Sequence, residues 1–402
     1  MRSFIFLAVL ICTQAFGYEE FTISKVPYNK YIEKMFAIEK NKKLMVVSSK
    51  HVDILDESGN IVAEKSILNE KSNFKAFDQC SDESVLAMSL SKSNKRAFLK
   101  VYKITTEQVN ETIEPLVNIF RKIPLDYSEW SRHKVYCLDN GHIAVFVADK
   151  GSEVFVKNQG ALFFFNSKGK KIGRKKVSGR LEISSMGKDG VGGLFAVWRD
   201  HKNIGFSGQV EHYNYKGVKI DSKSESENEY SFQSLYVING KTKIISSTQR
   251  NDYGIGHDVS YIWKNPSVKP VKIQFDRGCK MNADIRGSYI FLKDYSNSSY
   301  CRLSGNRMVN MGSFAAAKST PVLQEGIPIK NSDFLFYSSI NDNKCVVFYN
   351  VSSQKWSSFC KQEVDNEALL NYNAVALSHE QVVVQELSYS SGGNSLYFLK
   401  AN

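Results

Sequence analysis

Proline is scarce in this sequence, with 7 residues in 402, and long apolar runs are almost absent. After the first 17 residues no segment approaches the roughly 20 apolar residues that a membrane helix requires. Apolar residues also recur in short β-branched and aromatic clusters instead of the long stripes that amphipathic helices need. We therefore expect no transmembrane segment in the mature chain, and the composition favours a β-rich fold.

The motifs of common catalytic and metal sites are missing as well. The 7 histidines are scattered without an HExxH pair, no cysteines have CxxC spacing, and no Gly-x-Ser-x-Gly turn is present. These motifs mark zinc peptidases, zinc or redox cysteine sites and α/β-hydrolases. We therefore predict no catalytic residue, no cofactor and no metal site, and expect that the chain is not an enzyme.

Some polar residues remain as weaker candidates. Five aspartates close to the ends of predicted inner strands could hold calcium or a ligand, although turn formation is the commoner use of Asp. They are Asp189, Asp200, Asp252, Asp258 and Asp294. The glycine-rich segment 190–193 precedes a strand and not a helix, so it predicts a tight turn rather than a phosphate loop. Trp198, in that strand, is expected to pack between sheets.

The amino-terminal residues MRSFIFLAVLICTQAFG combine one arginine, a short apolar run and small residues near their end. This pattern predicts a secretory signal peptide over residues 1–17 and a single mature domain over residues 18–402. The formal net charge of +12 falls to +11 when Arg2 is removed. A charge of this size attracts polyanions. We expect a secreted, extracellular and monomeric protein.

Six cysteines remain in the mature chain, and their even number predicts three disulfides with 15 possible pairings. They are Cys80, Cys137, Cys279, Cys301, Cys345 and Cys360. Three sequons predict glycosylated surface asparagines at Asn110, Asn297 and Asn350. Disulfides and glycosylation are both typical of exported proteins.

Three segments share one hairpin form, in which two β-like stretches flank a turn that starts with Asp or Asn and ends with Gly. They are HVDILDESGNIVAEK, ALFFFNSKGKKIGRK and QVEHYNYKGVKIDSK. Their first turn residues, Asp56, Asn166 and Asn214, can accept hydrogen bonds from backbone amides, and their glycines, Gly59, Gly169 and Gly217, tolerate a positive φ. Looser hairpins without the glycine are predicted over residues 97–113, 259–273, 299–312 and 345–360.

A further β-like segment precedes each hairpin, and these segments recur along the chain. They start at residues 43, 84, 142, 193, 243, 288, 334 and 381, which places them 41 to 58 residues apart. A period of about 40 to 50 residues with four short strands per unit is typical of a β-propeller, whereas a sandwich shows no such period.

We predict an all-β propeller with eight blades. Seven is the alternative, because the region around residues 105–140 could be miscounted. The last unit ends after its third strand, and residues 19–28 supply an outermost strand that would close the ring. Within this architecture we expect Cys345 to face Cys360 across one hairpin, Cys80 to link to Cys137 in a neighbouring blade, and Cys279 to pair with Cys301 inside one blade.

The segment GALFFFNSKGKKIGRKK, residues 160–176, places an apolar strand before a strongly basic turn and outer strand. Alternation predicts that some of the phenylalanine rings lie between blades. The cations could be a solvated strand edge or an anion-binding rim with salt-dependent binding. They are Lys168, Lys170, Lys171, Arg174, Lys175 and Lys176, with Lys40, Lys42, Lys43 and Lys216 expected at comparable outer positions of other blades.

The signal peptide, the basic chain rich in Lys, Asn and Tyr, the sequons and the six cysteines resemble the secreted salivary proteins of blood-feeding flies such as mosquitoes. The turns DESG, NSKG and NYKG resemble those of propeller blades in general. The resemblance implies a noncatalytic salivary binding protein whose partner is a host haemostatic or immune protein, a glycan or a surface of the feeding apparatus. No specific nucleic-acid partner is expected. The alternative is a small-molecule scavenger or hydrolase that uses the central channel.

Overall fold

The computed structural model describes most of the chain between residues 21 and 401. The described residues are 21–28, 30–48, 50–67, 74–93, 96–106, 112–121, 133–148, 160–177, 181–200, 207–224, 231–238, 241–248, 259–277, 279, 291–294, 299–313, 326–328, 334–340, 343–350, 355–360, 373–378, 381–387 and 394–401. The predicted signal peptide over residues 1–17 lies outside them. No helix among the described residues is long and apolar enough to cross a membrane.

The described strands form eight sheets, which we number in chain order. Sheet 1 contains β2 (Lys34–Ile38), β3 (Lys43–Val47), β4 (His51–Leu55), β5 (Ile61–Ile67) and β9 (Thr112–Ile113), with a 3-10 helix, Glu39–Asn41, after β2. Sheet 2 contains β6 (Phe74–Gln79), β7 (Val85–Ser93), β8 (Arg96–Ile104) and β10 (Pro115–Arg121). Sheet 3 contains β11 (Lys134–Cys137), β12 (Ile143–Ala148), β13 (Gly160–Phe165) and β14 (Lys171–Val177). Sheet 4 contains β15 (Leu181–Lys188), β16 (Leu194–Asp200), β17 (Ser207–Tyr213) and β18 (Lys219–Ser224).

The second half of the chain continues the pattern. Sheet 5 contains β19 (Ser231–Ile238), β20 (Lys241–Thr248), β21 (Val259–Trp263) and β22 (Val271–Lys272). Sheet 6 contains β23 (Gln274–Phe275), β24 (Phe291–Asp294), β25 (Ser299–Ser304) and β26 (Arg307–Ser313). Sheet 7 contains β27 (Gly326–Pro328), β28 (Phe334–Ile340), β29 (Asn343–Asn350) and β30 (Lys355–Cys360). Sheet 8 contains β31 (Asn373–Ala376), β32 (Gln381–Leu387), β33 (Asn394–Ala401) and the amino-terminal strand β1 (Phe21–Tyr28).

Most strands pair antiparallel with the strand that follows them in the chain, so the chain largely completes one sheet before it starts the next. Two short strands depart from this order, because β9 pairs parallel with β5 and β23 pairs parallel with β26. The hairpin predicted over residues 97–113 is therefore wrong in its second half. The outer strand of sheet 2 is β10, and residues 112–113 belong to sheet 1. The other three looser hairpins are present as β21–β22, β25–β26 and β29–β30.

The central strand β3 is apolar along its length because neighbouring sheets cover both of its faces. In β3, Met45 and Val47 pack in a cluster with sheet 2, whereas Leu44 and Val46 pack in a cluster with sheet 8. All four side chains are fully buried. Burial of one such side chain contributes about 1.5–3 kcal/mol, so β3 stabilises two interfaces at once.

Six hydrophobic clusters join sheets that follow one another in the chain. They connect sheet 8 with sheet 1, and then sheets 1 to 6 in succession. Strands β27 and β31 also bring sheets 7 and 8 into contact. Trp198 lies in the cluster between sheets 3 and 4, as predicted. The interior is therefore distributed between successive sheets.

The three predicted turns with a final glycine are present. The backbone N–H of Gly217 donates to the carbonyl of Asn214 at 2.9 Å, and its φ is +78°. A Cβ at this position would overlap the ring of Phe164 in sheet 3. Gly59 and Gly169 have the same turn geometry. A Cβ on Gly59 would overlap Val26 in β1 of sheet 8, and a Cβ on Gly169 would overlap Leu116 in β10 of sheet 2. The glycine thus serves both the turn and the packing of one sheet on another.

The amino-terminal strand joins the last sheet, as the sequence predicted. β1 pairs antiparallel with β33, from Phe21 opposite Ala401 to Tyr28 opposite Asn394. Side chains at the end of β1 and just after it also bind to sheet 1. The Tyr28 hydroxyl donates a hydrogen bond to the Asp53 carboxylate, and Lys30 Nζ lies 2.9 Å from Asp53 Oδ2. This contact connects the strand that completes sheet 8 with the interior of sheet 1.

Two of the predicted disulfides are present. Cys80 and Cys137 connect sheets 2 and 3, and Cys279 and Cys301 join the segment after β23 to β25 within sheet 6. Both pairings confirm the prediction. In β29 and β30, Cys345 and Cys360 are direct partners across the hairpin. This register agrees with the third pairing, which remains a prediction.

Candidate functional site

The basic segment that stands out in the sequence forms the outer edge of sheet 3. In the turn between β13 and β14, Asn166 Oδ1 accepts hydrogen bonds from the backbone N–H groups of Lys168 and Lys170, at 3.1 and 2.9 Å. These bonds fix the backbone of the turn and involve neither lysine side chain. Both side chains are exposed to solvent. The turn chemistry therefore positions two cations at the start of the outer strand.

Strand β14 continues the row of cations. Lys171 and Arg174 are exposed, and Lys175 is half-buried. The Arg174 guanidinium lies 5.4 Å from the ring centroid of Phe163, its partner on β13. Such a cation–π contact restrains the arginine while leaving its N–H groups available. Lys176 also belongs to β14, but its side chain is outside the described part of the structure.

The neighbouring sheet adds a cation to this edge. The turn between β17 and β18 approaches β14 so closely that a Cβ on Gly173 would overlap the carbonyl oxygen of Lys216. The Lys216 side chain is exposed, with its Nζ 5.5 Å from the ring centroid of Tyr215. We call Lys168, Lys170, Lys171, Arg174, Lys175 and Lys216 the cationic edge.

Other lysines that the sequence grouped with this edge lie elsewhere. Lys40 is in the 3-10 helix between β2 and β3, Lys42 follows that helix, and Lys43 begins β3. These positions belong to the first hairpin of sheet 1 and not to an outer strand, so the expectation of comparable outer positions is wrong for all three. It holds for Lys216, whose turn leads into the outer strand β18.

The members of the cationic edge differ from some other charged residues of the protein in their ion pairing. Elsewhere, Lys103 pairs with Asp82 at 2.8 Å, and Arg307 pairs with Asp276 at 2.6 Å. Within the described part of the chain, no carboxylate forms an ion pair with a member of the cationic edge. Its positive charges are therefore available to an anion from solution.

A second polar group, which the sequence did not single out, joins the first strands of four sheets. Lys188 Nζ, at the end of β15, lies 3.0 Å from Asp78 Oδ2 in β6 and 3.2 Å from the carbonyl of Gln79. Asp78 also accepts a hydrogen bond from the Cys137 backbone N–H at 2.7 Å, and Gln79 Nε2 donates to the carbonyl of Ala37 in β2. The lysine thus reaches past sheet 3 to sheet 2. We call Asp78, Gln79 and Lys188 the inner cluster.

Burial perturbs the ionisable groups around the inner cluster. Burial raises the pKa of Asp78, although the Lys188 charge and the backbone N–H of Cys137 oppose the rise. Burial, and then the charge of Asp78, raises the pKa of Tyr136, whose hydroxyl donates to the carbonyl of Met186 at 2.9 Å. Burial also lowers the pKa of Lys134, although its side chain still reaches solvent.

The inner cluster was missed because its members are far apart in the chain. Lys188 and Asp78 are separated by 110 positions, and the Asp78 carboxylate and the Cys137 amide by 59. None of them belongs to a motif. A spacing argument cannot bring such residues together, because the contact depends on how the inner strands of several sheets converge.

Of the aspartates proposed from the sequence, Asp189 is the one whose side chain the structure describes, and it forms a turn. Asp189 Oδ1 accepts hydrogen bonds from the N–H groups of Val191 and Gly193, which confirms the tight turn. Asp189 Oδ2 also lies 2.7 Å from His212 Nε2. Among the described residues no group of three or more His, Cys, Asp or Glu side chains could hold a metal ion. Asp200 is the last residue of β16 and Asp294 the last residue of β24, and the side chains of both lie outside the described part of the structure. Asp252 and Asp258 lie outside the described residues.

Of the predicted glycosylation sites, Asn350 is the last residue of β29. Asn110 and Asn297 lie outside the described residues. Glycosylation at all three positions remains a prediction.

No protein-family model matches the chain, and no curated protein sequence matches it. Several solved structures are similar in fold. A eukaryotic initiation factor is 12% identical, with 89% of this chain and 82% of that chain covered and a TM-score of 0.45. The β-propeller domain of the Trilobed protease from Pyrococcus furiosus is 9% identical, with 92% and 96% covered and a TM-score of 0.42. Extracellular domains 1–2 of Drosophila Semaphorin 1b are 9% identical, with 95% and 86% covered and a TM-score of 0.39. Similarity at this level identifies no function.

Proposed function

We propose that the eight sheets are the blades of a single β-propeller, closed by the pairing of β1 with β33. The succession of interfaces supports this proposal, because each cluster joins consecutive sheets and one of them joins sheet 8 to sheet 1. The number of sheets favours eight blades over seven. A ring of this kind has a central channel, bordered by the first strands, and an outer rim formed by the last strands and their turns.

We infer that the protein is a secreted, noncatalytic binding protein whose rim engages an extracellular macromolecule. The observation that carries this proposal is the exposed cationic edge, which lacks acidic partners among the described residues. The two disulfides agree with an oxidising compartment. The resemblance to salivary proteins of blood-feeding flies suggests a host protein, a glycan or the feeding apparatus as the site of binding.

The test is affinity capture with the immobilised mature protein. Extracts of host plasma, of endothelial matrix and of insect mouthparts are passed over the protein and over an unrelated β-rich protein of the same net charge. We expect a saturable partner that is retained only by the authentic protein. Retention of the same components by the charge-matched protein would refute specific binding.

The inner cluster supports a second candidate, which is a small ligand bound in the central channel. Asp78, Lys188 and Tyr136 come from three different sheets and converge on one place, where the charge of Asp78 helps to raise the pKa of Tyr136. Polar groups that converge from several elements are typical of ligand sites. Calorimetry against amines, eicosanoids and nucleotides tests this candidate: stoichiometric binding that Lys188→Met weakens would favour the channel over the rim.

A further inference from the structure

The charges of the cationic edge are arranged as a row along a strand. We propose that this row binds linear sulfated glycans, an inference that rests on the proposed function of binding an extracellular macromolecule. The row begins in the turn with Lys168 and Lys170, follows β14 through Arg174, and gains Lys216 from the adjacent sheet. It therefore extends over two sheets.

The accumulation of charge is unfavourable without a ligand. Consecutive strand residues are only about 3.3 Å apart, which is well within the Debye length of about 8 Å at physiological ionic strength. The cations consequently repel one another in the free protein. The outer strand β18 and the strand β26 of sheet 6 reduce such repulsion through pairs such as Lys219 with Glu211 and Arg307 with Asp276. On β14 a bound polyanion would relieve the repulsion.

The spacing suits an extended polyanion better than a single phosphate group. From Lys171 to Lys175 the strand covers about 13 Å, and alternate side chains leave opposite faces of the sheet. A single phosphate would need several donors directed at one point, as at a helix amino terminus or an arginine pair. A chain of sulfates can instead contact successive cations along the outer edge.

The chemistry of the edge favours a sulfated glycan over a nucleic acid. Single-stranded nucleic acids bind through exposed aromatic rings on which bases stack. β14 itself contains no aromatic residue. Of the rings beside it, Phe163 is buried beneath Arg174. The Tyr215 ring contacts both Lys216 and the His142 ring, whose centroid lies 4.7 Å away. Sulfates need only the cations.

The experiment compares two triple charge reversals that alter net charge equally. The first is Lys171→Glu, Arg174→Glu and Lys216→Glu on the cationic edge. The second is Lys264→Glu, Lys269→Glu and Lys272→Glu, at three exposed lysines of sheet 5. Binding to heparin, to chemically desulfated heparin and to a single-stranded oligonucleotide is measured over a range of salt concentrations, and circular dichroism verifies folding. A glutamine version of the first triple provides a milder change.

We expect the wild type and the sheet 5 variant to bind heparin with the same affinity and salt dependence. The triple variant of the cationic edge should bind heparin at least about tenfold more weakly than the wild type. The slope of its log affinity against log salt concentration should be smaller by roughly two to three. The glutamine version should show a smaller loss, and desulfated heparin should not bind. Equal losses in both triples, no loss in the first, or tighter binding of the oligonucleotide would overturn the inference. If heparin does not bind but the extracts still yield a saturable partner, only the glycan assignment is refuted. If neither heparin nor the extracts yield binding, the proposed function is refuted as well.

Discussion

Two lysine–aspartate pairs in this protein provide a test of what burial does to an ion pair. Lys30 lies 2.9 Å from Asp53, and Lys103 lies 2.8 Å from Asp82. The lysine side chains are 31% and 32% exposed, but the Asp53 side chain is 0% exposed and the Asp82 side chain 56%. The perturbation is Lys→Met at each position, which keeps an unbranched side chain and removes the charge.

The expected magnitudes differ because the Asp53 carboxylate is shielded from water and the Asp82 carboxylate is not. At the exposed pair, Lys103→Met should cost at most about 1 kcal/mol of unfolding free energy. Lys30→Met leaves a charge buried inside sheet 1, and the loss of one partner of a buried pair costs about 3–5 kcal/mol. Water can reach the space left by the partly exposed lysine, so we expect about 3 kcal/mol. Asp53→Asn in the Lys30→Met background should recover more than half of this loss.

The assay is urea denaturation followed by tryptophan fluorescence at pH 7, with the wild type and the three variants in parallel. Equal destabilisation by Lys30→Met and Lys103→Met would refute the reasoning, since it would mean that burial of the carboxylate does not decide the cost. Failure of Asp53→Asn to rescue Lys30→Met would locate the effect in lost packing instead of in the buried charge.

Three further predictions concern turns, disulfides and pH. Gly217→Ala should cost about 2–4 kcal/mol in urea denaturation, because a positive φ and an overlap with a buried ring combine; Gly305→Ala, where φ is +62° and no atom lies within 4 Å, should cost about 1–2 kcal/mol. Replacement of both Cys80 and Cys137 by Ser should lower stability by about 2–5 kcal/mol under non-reducing conditions, and equal stability of the two forms would show that the bridge is dispensable. Burial acts to raise the pKa of Asp189, but its histidine partner and two backbone N–H groups outweigh burial and lower the pKa from its ordinary value of 3.8. The carboxylate therefore stabilises the fold above about pH 4 and loses this contribution as pH falls further; Asp189→Asn should flatten the stability profile below pH 4, and an unchanged profile would contradict this assignment.

Much of the architecture follows from contiguous residues. Each sheet starts from a local pattern of β-like segments, and turns such as Asn166–Gly169 and Asn214–Gly217 contain the residues that close them. The pairing of Cys80 with Cys137 followed from their equivalent positions in successive repeats. The hairpin predicted over residues 97–113, whose second strand was wrong, lies where this pattern is weakest. There, β9 joins the preceding sheet, and no local signal distinguishes that pairing from a hairpin.

The candidate site was only partly predictable. The turn and outer strand identified Lys168 to Lys176 as one row, because hairpin geometry is set by neighbouring residues. The contribution of Lys216 depends on the contact between its turn and Gly173 in another sheet. The ion pairing of the described members of this edge likewise depends on which strands become neighbours, and composition cannot reveal it.

The sequence by itself determined the repeat, the strand order within most sheets, the glycine turns and two cysteine pairings, since each depends on residues close together or on equivalent places in the repeat. Only the tertiary structure decided that Gly217 lies against an aromatic ring, that Lys188 reaches Asp78, and that Tyr28 and Lys30 meet a buried carboxylate. Those contacts join different sheets. They depend on the twist and stacking of whole sheets, which no short stretch of chain specifies.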